Sequence, residues 1–369
     1  MNEEIKTSLG IYIHSPYCLK KCKYCDFTSF AEKPDPGYYE QLCVEIRQFA
    51  EQYGKGRVVD TIFFGGGTPT LVDPSWLGAV IHAIKDSYET ADDMEISVEA
   101  NPETLNDEKL KALKDAGFNR ISIGVQSLND DVLAALGRVH NADKARKAVS
   151  LAKKYFDNIN VDLMFGLPKQ DLIIWKETIE EVISWKLPHI SFYSLQLEEN
   201  TPLYEEYKNG KINLPSWDAN RNMYHFARGA LTGAGYHHYE ISNAALPGFE
   251  CRHNLKYWNM EEYLGFGLGA HSFVEGARLE RTVNELIGTP TNLGELKGDF
   301  IFTELRLVDG FKLKDYKDMF GQSFLQEYKK PLLKLFEEGY LEQTSDGRLK
   351  FTPAGLDNTN NVMERLLNE

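Results

Sequence analysis

Along the first half of the chain, short apolar runs alternate with longer stretches of helical period. The runs at 10–14, 60–65, 94–100, 120–126, 158–166 and 189–197 predict six strands. The stretches 38–53, 76–88, 107–116, 130–136, 142–155 and 172–186 predict helices, the first with Leu42, Ile46 and Phe49 on one face and the third closed by Gly117. Cys43 lies on the first of these helices and reads as a small core residue. Six strand–helix units in a row predict a parallel sheet with helices outside, curled by right-handed crossovers. Six units fall short of the eight that close a barrel. The fold class is therefore α/β, an open partial (β/α)6 barrel within residues 1–290. In such a barrel, functional groups collect at the C-terminal ends of the strands.

After about residue 295 the pattern changes. Segment 300–307 fits a helix or a strand, and 312–319 and 323–338 predict helices, the second closed by Gly339. The runs 340–344 and 348–352 flank Ser345-Asp346-Gly347, a hairpin signal, and 358–367 predicts a last helix. Two helices followed by a two-stranded wing resemble a winged helix, which sets off 295–369 as a small α+β domain. Acidic residues interrupt its second helix and its wing, which favours a cover or protein-docking role over DNA binding.

Composition narrows the function classes. The chain has 369 residues and 42% hydrophobic content, enough for a large core plus a smaller one. Its net charge of −14 opposes sequence-independent nucleic-acid binding, which needs positive charge against phosphate. No apolar run reaches the length of a membrane span, and the polar segment 1–9 lacks a signal-peptide pattern. Five cysteines, three of them clustered, do not form a disulfide framework and fit a reducing cytoplasm.

Those three are Cys18, Cys22 and Cys25, spaced C-x3-C-x2-C just after the first strand. Thiolates select zinc, copper(I) or iron–sulfur clusters. No fourth cysteine follows, since Asp26 and Phe27 come next. Three thiolates on a cubane leave one iron open, as a reactive centre requires. A zinc site completed from afar, by Cys251 or His253, and reduced thiols without metal are the alternatives. Downstream, Gly65-Gly66-Gly67-Thr68 leaves the second strand, where glycines allow close backbone approach to a ligand. Glu99, Gln126 and Asp162 end or nearly end strands three, four and five, and Arg138 follows a short helix. A carboxylate there suits an ammonium group or ribose hydroxyls, and an arginine suits a carboxylate. Each alone serves structure equally well, but successive strands deliver polar groups to one rim.

A second stretch, 236–275, contains Cys251-Arg-His253-Asn254-Leu-Lys-Tyr257-Trp258 and Tyr263-Leu-Gly-Phe-Gly-Leu-Gly-Ala-His271. Imidazole is a heme-iron ligand and flat aromatic rings suit a porphyrin face. Cys251 is a second possible ligand. The same residues equally describe a hydrogen-bonded histidine inside an aromatic cluster.

The cysteine motif with the Gly-Gly-Gly-Thr-Pro run resembles the radical S-adenosylmethionine (SAM) superfamily, which implies a [4Fe-4S] cluster on Cys18, Cys22 and Cys25, SAM on its open iron, and the partial barrel. Tyr12-Ile-His-Ser-Pro-Tyr-Cys18, Glu99-Ala-Asn-Pro, Gly124-Val-Gln-Ser and Asp162-Leu-Met-Phe-Gly-Leu-Pro168 resemble its HemN-like branch across essentially the whole chain. By matching position, the resemblance implies that Tyr12, Gly66 and Glu99 contact the cluster-bound SAM. It implies that Gly67, Thr68, Gln126, Arg138 and Asp162 contact a second SAM or line its space, and that Tyr24 lies near the adenine. His-Asn-x-x-Tyr-Trp at 253–258 resembles the heme chaperones of that branch, implying heme at His253 and transfer to heme-acceptor proteins, respiratory-chain components and transient membrane-protein contacts among the candidates. The dehydrogenases of the branch, which decarboxylate coproporphyrinogen III, carry a further cysteine where this chain has Asp26-Phe27, and a longer arm before the motif. A radical methyltransferase of the same branch is the third reading.

Overall fold

The computed structural model describes residues 6–281 and 286–368. At its centre lie six strands: β1 (Thr7–Ser15), β2 (Arg57–Gly66), β3 (Glu89–Ala100), β4 (Arg120–Gln126), β5 (Asn158–Phe165) and β6 (His189–Ser194). Each pairs in parallel with the next. Between them run α1 (Pro36–Tyr53), α2 (Pro74–Ser87), α3 (Asp107–Asp115), α4 (Asp130–Ala135), α5 (Ala142–Ala152) and α6 (Leu172–Ser184). Side chains of Asp35, Asp73, Asn106 and Asp171 cap four of these helices. The first two helices start two residues before the apolar period does, because Asp-Pro supplies a cap and a pre-set first residue.

Alternation along the strands sorts the side chains. Ile11, Ile62, Val98, Ile121 and Val161 join Leu42, Ile46, Ile81 and Trp175 in one core beneath the helices. The intervening positions are mostly polar and fill the concave face: Glu95, Glu99, Arg120, Asn160, Asp162 and His189 are buried there or nearly so. Hydrogen bonds knit them together. His189 Nδ1 meets Asn160 Oδ1 at 2.6 Å, and Ser122 Oγ donates to Asp162 at 2.9 Å.

The sheet does not close on itself. After β6 come α7 (Pro202–Lys208), α8 (Trp217–Gly233), β7 (His237–Glu240), β8 (Asn243–Ala245) and α9 (Arg252–Trp258). A ladder follows: β9 (Tyr263–Phe266), β10 (His271–Val274), β11 (Ala277–Arg281) and β12 (Leu286–Pro290). β8 covers the outer edge of β6 and β9 that of β1, giving an open sheet of twelve strands. Sequence predicted six of these. Pairing on both sides moves the sheet's edges from the long central strands to the short β7 and β12.

Between its two edge contributions the chain drops α9 into the lumen. The Cys251 thiol donates to Glu95 at 3.7 Å and the Arg252 guanidinium to Asp93 Oδ2 at 3.1 Å. His253 Nδ1 meets Thr61 Oγ1 at 2.8 Å. Thr61 pairs with Gly10, five residues before the end of β1. The helix therefore lies roughly 17 Å below the strand tips, at 3.3 Å per residue. Gly10 is bare for this reason: a Cβ there would lie 2.8 Å from Lys256 Cδ and 3.3 Å from His253 Cε1.

The C-terminal residues form α10 (Leu293–Glu304), β13 (Phe311–Lys312), α11 (Leu313–Phe320), α12 (Phe324–Glu327), α13 (Lys329–Glu337), β14 (Leu341–Gln343), β15 (Arg348–Phe351), α14 (Pro353–Asp357) and α15 (Thr359–Asn368). The helix predicted over 323–338 breaks at Tyr328, whose φ and ψ of −100° and 23° leave the helical range just ahead of Pro331. The hairpin forms where expected and gains β13 as a third strand. Phe300, Phe311, Tyr316, Phe324, Leu335 and Leu349 build a separate core.

Candidate functional site

The cysteine loop leaves the tip of β1 and is pinned on both sides. Cys18 N donates to Phe30 O and Phe30 N to Pro16 O. Lys23 N donates to Leu136 O, and Leu203 N to Lys23 O. The glycine run from β2 clamps the entrance to the loop, with Gly67 N on Ser15 O and Thr68 N on Tyr17 O, both at 2.7 Å. Only glycine tolerates that approach: a Cβ at Gly67 would stand 2.7 Å from the Tyr17 carbonyl oxygen. Gly66, at φ +103°, turns its bare side toward the His14 ring.

All three thiols are half-buried. Two receive hydrogen bonds: Thr68 Oγ1 donates to Cys18 Sγ at 3.5 Å and Arg138 Nη1 to Cys22 Sγ at 3.4 Å. Arg138 Nη2 also donates to Asn101 Oδ1 at 2.6 Å and to Gly124 O, and Asn101 Nδ2 donates to Thr68 Oγ1 at 2.9 Å. Loops after four strands thus share one polar network around the sulfurs. Desolvation opposes the Arg138 charge, but the Tyr24 phenol and the Cys22 thiol outweigh it and hold the guanidinium charged. Tyr24 packs beside Met164 and Leu167. Thiols with donors and a cation aimed at them suit an anionic cluster, since such hydrogen bonds stabilise thiolate charge and tune cluster potential.

Below this rim Glu99 accepts from Gly66 N at 3.1 Å. Burial, then the Asp162 charge, push its pKa up to about 8. Burial also raises Asp162, against the pull of its Ser122 and Asn160 donors. Both carboxyls, with Tyr12, Tyr257 and the buried Arg120, line a space of about 210 Å³. Arg120 Nε has no partner among the described residues. Tyr12 Oη meets His14 Nδ1 at 3.1 Å. Gln126 ends β4 at φ +64°, a conformation unfavourable outside glycine, and its Oε1 accepts from Tyr193 Oη at 3.2 Å.

The structure therefore gathers Cys18, Cys22, Cys25, Tyr24, Gly66, Gly67, Thr68 and Arg138 at the rim, with Glu99, Gln126, Asp162 and Tyr12 inside the lumen. His253 lies at the floor of that lumen, its ring centroid 6.5 Å from that of Tyr12. That ring is fully buried, its Nδ1 taken by Thr61 and its Nε2 by Tyr257 Oη at 2.8 Å. Phe63 stacks on it with centroids 5.3 Å apart. Burial, then nearby Lys256 and Arg120, lower its pKa to about 3. Cys251 is equally buried, its thiol pushed up to about 12 by burial and turned to Glu95. Cys251 and His253 each have partners of their own in the lumen, on Glu95 and on Thr61 and Tyr257.

Sequence reasoning missed Asn101 and Arg120. Asn101 follows Glu99 in the motif already singled out, and its role as a bridge is visible only once Thr68 and Arg138 converge. Arg120 was legible as a charge opening an otherwise apolar strand.

Comparison with known proteins fits this geometry. The radical SAM superfamily matches residues 12–182 and the HemN C-terminal domain matches 298–357. The heme chaperone HemW of Lactococcus lactis is 34% identical over 96% of both chains. That of Bacillus subtilis is 35% identical over 97% of this chain and 99% of its own. Among solved structures, coproporphyrinogen III oxidase (HemN) from Escherichia coli covers 98% of this chain and 91% of its own at TM-score 0.81 and 20% identity, a likeness of fold. Among the described residues no helix is long and apolar enough to cross a membrane. Identity of this extent, on a chain whose polar rim surrounds three loop cysteines, means that the protein belongs to the HemW family of the radical SAM superfamily.

Proposed function

We propose that this chain is a heme carrier: it holds a [4Fe-4S] cluster on Cys18, Cys22 and Cys25, binds SAM beside it, takes up heme and passes it to acceptor proteins in the cytoplasm. The observation that carries the reading is the 34% identity to a heme chaperone over 96% of both chains. The donor set agrees with it, because two of the three loop thiols receive a hydroxyl and a guanidinium donor and no fourth cysteine lies nearby in the sequence. The cluster with SAM supplies one-electron chemistry when bound. This chain's residues orient and shield it. Arg138 and Thr68 hold two sulfurs, and the bare Gly66 and Gly67 let the loop after β2 close onto His14 and the entrance of the cysteine loop. Glu99, protonated in part near neutrality, gains a counter-charge when an ammonium group arrives and ionises fully.

The rival is oxidative decarboxylation of coproporphyrinogen III. The fold alone is compatible with both, since fold does not decide function. Asp26-Phe27 after the motif favours the carrier. The test is an anaerobic sample of iron-reconstituted protein with dithionite and SAM, given heme in one portion and coproporphyrinogen III in another. The carrier reading expects stoichiometric heme uptake, release to an apo-acceptor and no protoporphyrinogen. Many turnovers to protoporphyrinogen would replace it with the dehydrogenase.

A further inference from the structure

We propose that Asn101 is a positioning residue for the cluster: its one amide aims the Thr68 hydroxyl at Cys18 and the Arg138 guanidinium at Cys22, and through them raises the cluster's reduction potential; this rests on the cluster ligation proposed above, not on the cargo. Asn101 follows the last residue of β3, between the loop after β2 that carries Thr68 and the segment after α4 that carries Arg138. Its Oδ1 accepts from Arg138 Nη2 at 2.6 Å and its Nδ2 donates to Thr68 Oγ1 at 2.9 Å. Both partners end on sulfur. Thr68 Oγ1 donates to Cys18 Sγ at 3.5 Å and Arg138 Nη1 to Cys22 Sγ at 3.4 Å. A single amide therefore reaches two of the thiols, each through one intermediate side chain.

The chemistry of the partners fixes the direction of every bond in this chain. A guanidinium carries donors and no acceptor, so the amide oxygen faces Arg138 and the amide nitrogen faces Thr68. Thr68 must then accept from Asn101, which leaves its single hydroxyl proton for Cys18. Donors and positive charge at cluster thiolates favour the reduced, more negative state and raise the potential.

Two further features leave the amide free for this task. Asn101 stands at the N-cap of the short 3-10 turn Pro102–Thr104, where an asparagine side chain commonly bonds the amides ahead of it, and it makes no such bond. Thr104 instead donates to the Asn101 carbonyl, through its amide at 2.9 Å and its hydroxyl at 2.8 Å. Across the rim on β4, Gly124 is bare: a Cβ there would lie 3.0 Å from Asn101 Oδ1 and 3.4 Å from Arg138 Nη2. The Gly124 carbonyl also accepts from Arg138 Nη2 at 2.8 Å. β4 thus makes room for the amide–guanidinium pair and anchors it.

The test is an anaerobic redox titration of the cluster-reconstituted full chain, with dithionite as reductant and no added SAM, read by EPR of the reduced cluster. Iron content and circular dichroism are measured on each sample. Asn101→Ala loosens both donors, and the potential falls below that of the wild type. Asn101→Asp falls further, because a carboxylate has no proton for Thr68, draws the Thr68 proton away from Cys18 and adds negative charge. Thr68→Val removes the Cys18 donor directly and also lowers the potential. In that background Asn101→Ala shifts the potential by less than it does in the wild type, because one of its two routes to sulfur is already gone. Wild-type potentials in the Asn101 variants at full iron content would overturn the positioning role alone, and so would equal shifts with and without the Thr68 hydroxyl. An unchanged potential in Thr68→Val overturns it even where the Asn101 variants load no cluster. No cluster on the wild-type chain would overturn the ligation and this role together.

Discussion

The floor and the mouth of one lumen are built from the same kinds of residue and behave in opposite ways. At the floor, α9 sets His253 between Thr61 and Tyr257, and Cys251 against Glu95, with Phe63 stacked on the imidazole. At the mouth, three thiols stay half-buried, Phe27 stands in solvent and the His271 ring has no partner among the described residues. A buried polar group must find its partners inside the protein, and once it has them it is a structural element. A group left with open valence or hydrogen-bonding capacity at a cleft can meet a ligand. Cysteine, histidine and aromatic residues thus spell packing at one end and chemistry at the other.

The largest effect that would sharpen this contrast is at the mouth. Cys22→Ala should abolish the cluster while the chain stays folded, read as iron content and charge-transfer absorption after reconstitution; a full cubane spectrum would remove this thiol from the ligand set. Next comes the floor. His253→Ala opens a hole and leaves two buried hydroxyls unpaired, and should cost about 3–5 kcal/mol in urea unfolding, as large core truncations with lost hydrogen bonds do. Its cluster content should match wild type in whatever fraction folds. Wild-type stability would mean that the floor is not saturated as described. Gly67→Ala forces a Cβ onto the Tyr17 carbonyl and should cost about 1–3 kcal/mol, with poorer cluster loading because the clamped loop shifts. His271→Ala, by contrast, should change stability by less than about 0.5 kcal/mol, as surface substitutions do.

The response to pH differs between the two regions. His253 titrates near 3 when folded, below the ordinary histidine value of 6.5. The unfolded chain therefore binds the extra proton first, and stability falls as pH drops from about 6.5 toward 3. Glu99 titrates near 8 when folded, above its ordinary 4.5. Here the folded chain holds the proton longer, so stability of the ligand-free protein falls as pH rises from about 4.5 to 8. Glu99→Gln should flatten the alkaline side alone, measured as denaturation midpoints across pH; an unchanged alkaline slope would mean that Glu99 is ionised in the folded state.

Much of the frame was legible in the sequence. Strand periodicity gave the six parallel strands, and the thiol and glycine loops fell at strand tips as the parallel topology demands. The four-strand ladder at 263–290 and the β7–β8 hairpin were missed because each strand is only three to five residues long, too short for a period to register. The hydrogen bonding of His253 was out of reach for a different reason. Spacing places an imidazole beside Tyr257 and Trp258, but whether its nitrogens are free depends on Thr61, 192 positions away. The same holds for Asn101, which becomes a bridge only when Arg138 arrives across the rim.

The most direct test of the contrast is an iron anomalous difference map from crystals of the cluster-reconstituted, heme-loaded chain. The account predicts density for the cluster among Cys18, Cys22 and Cys25. No density at the loop thiols would contradict it.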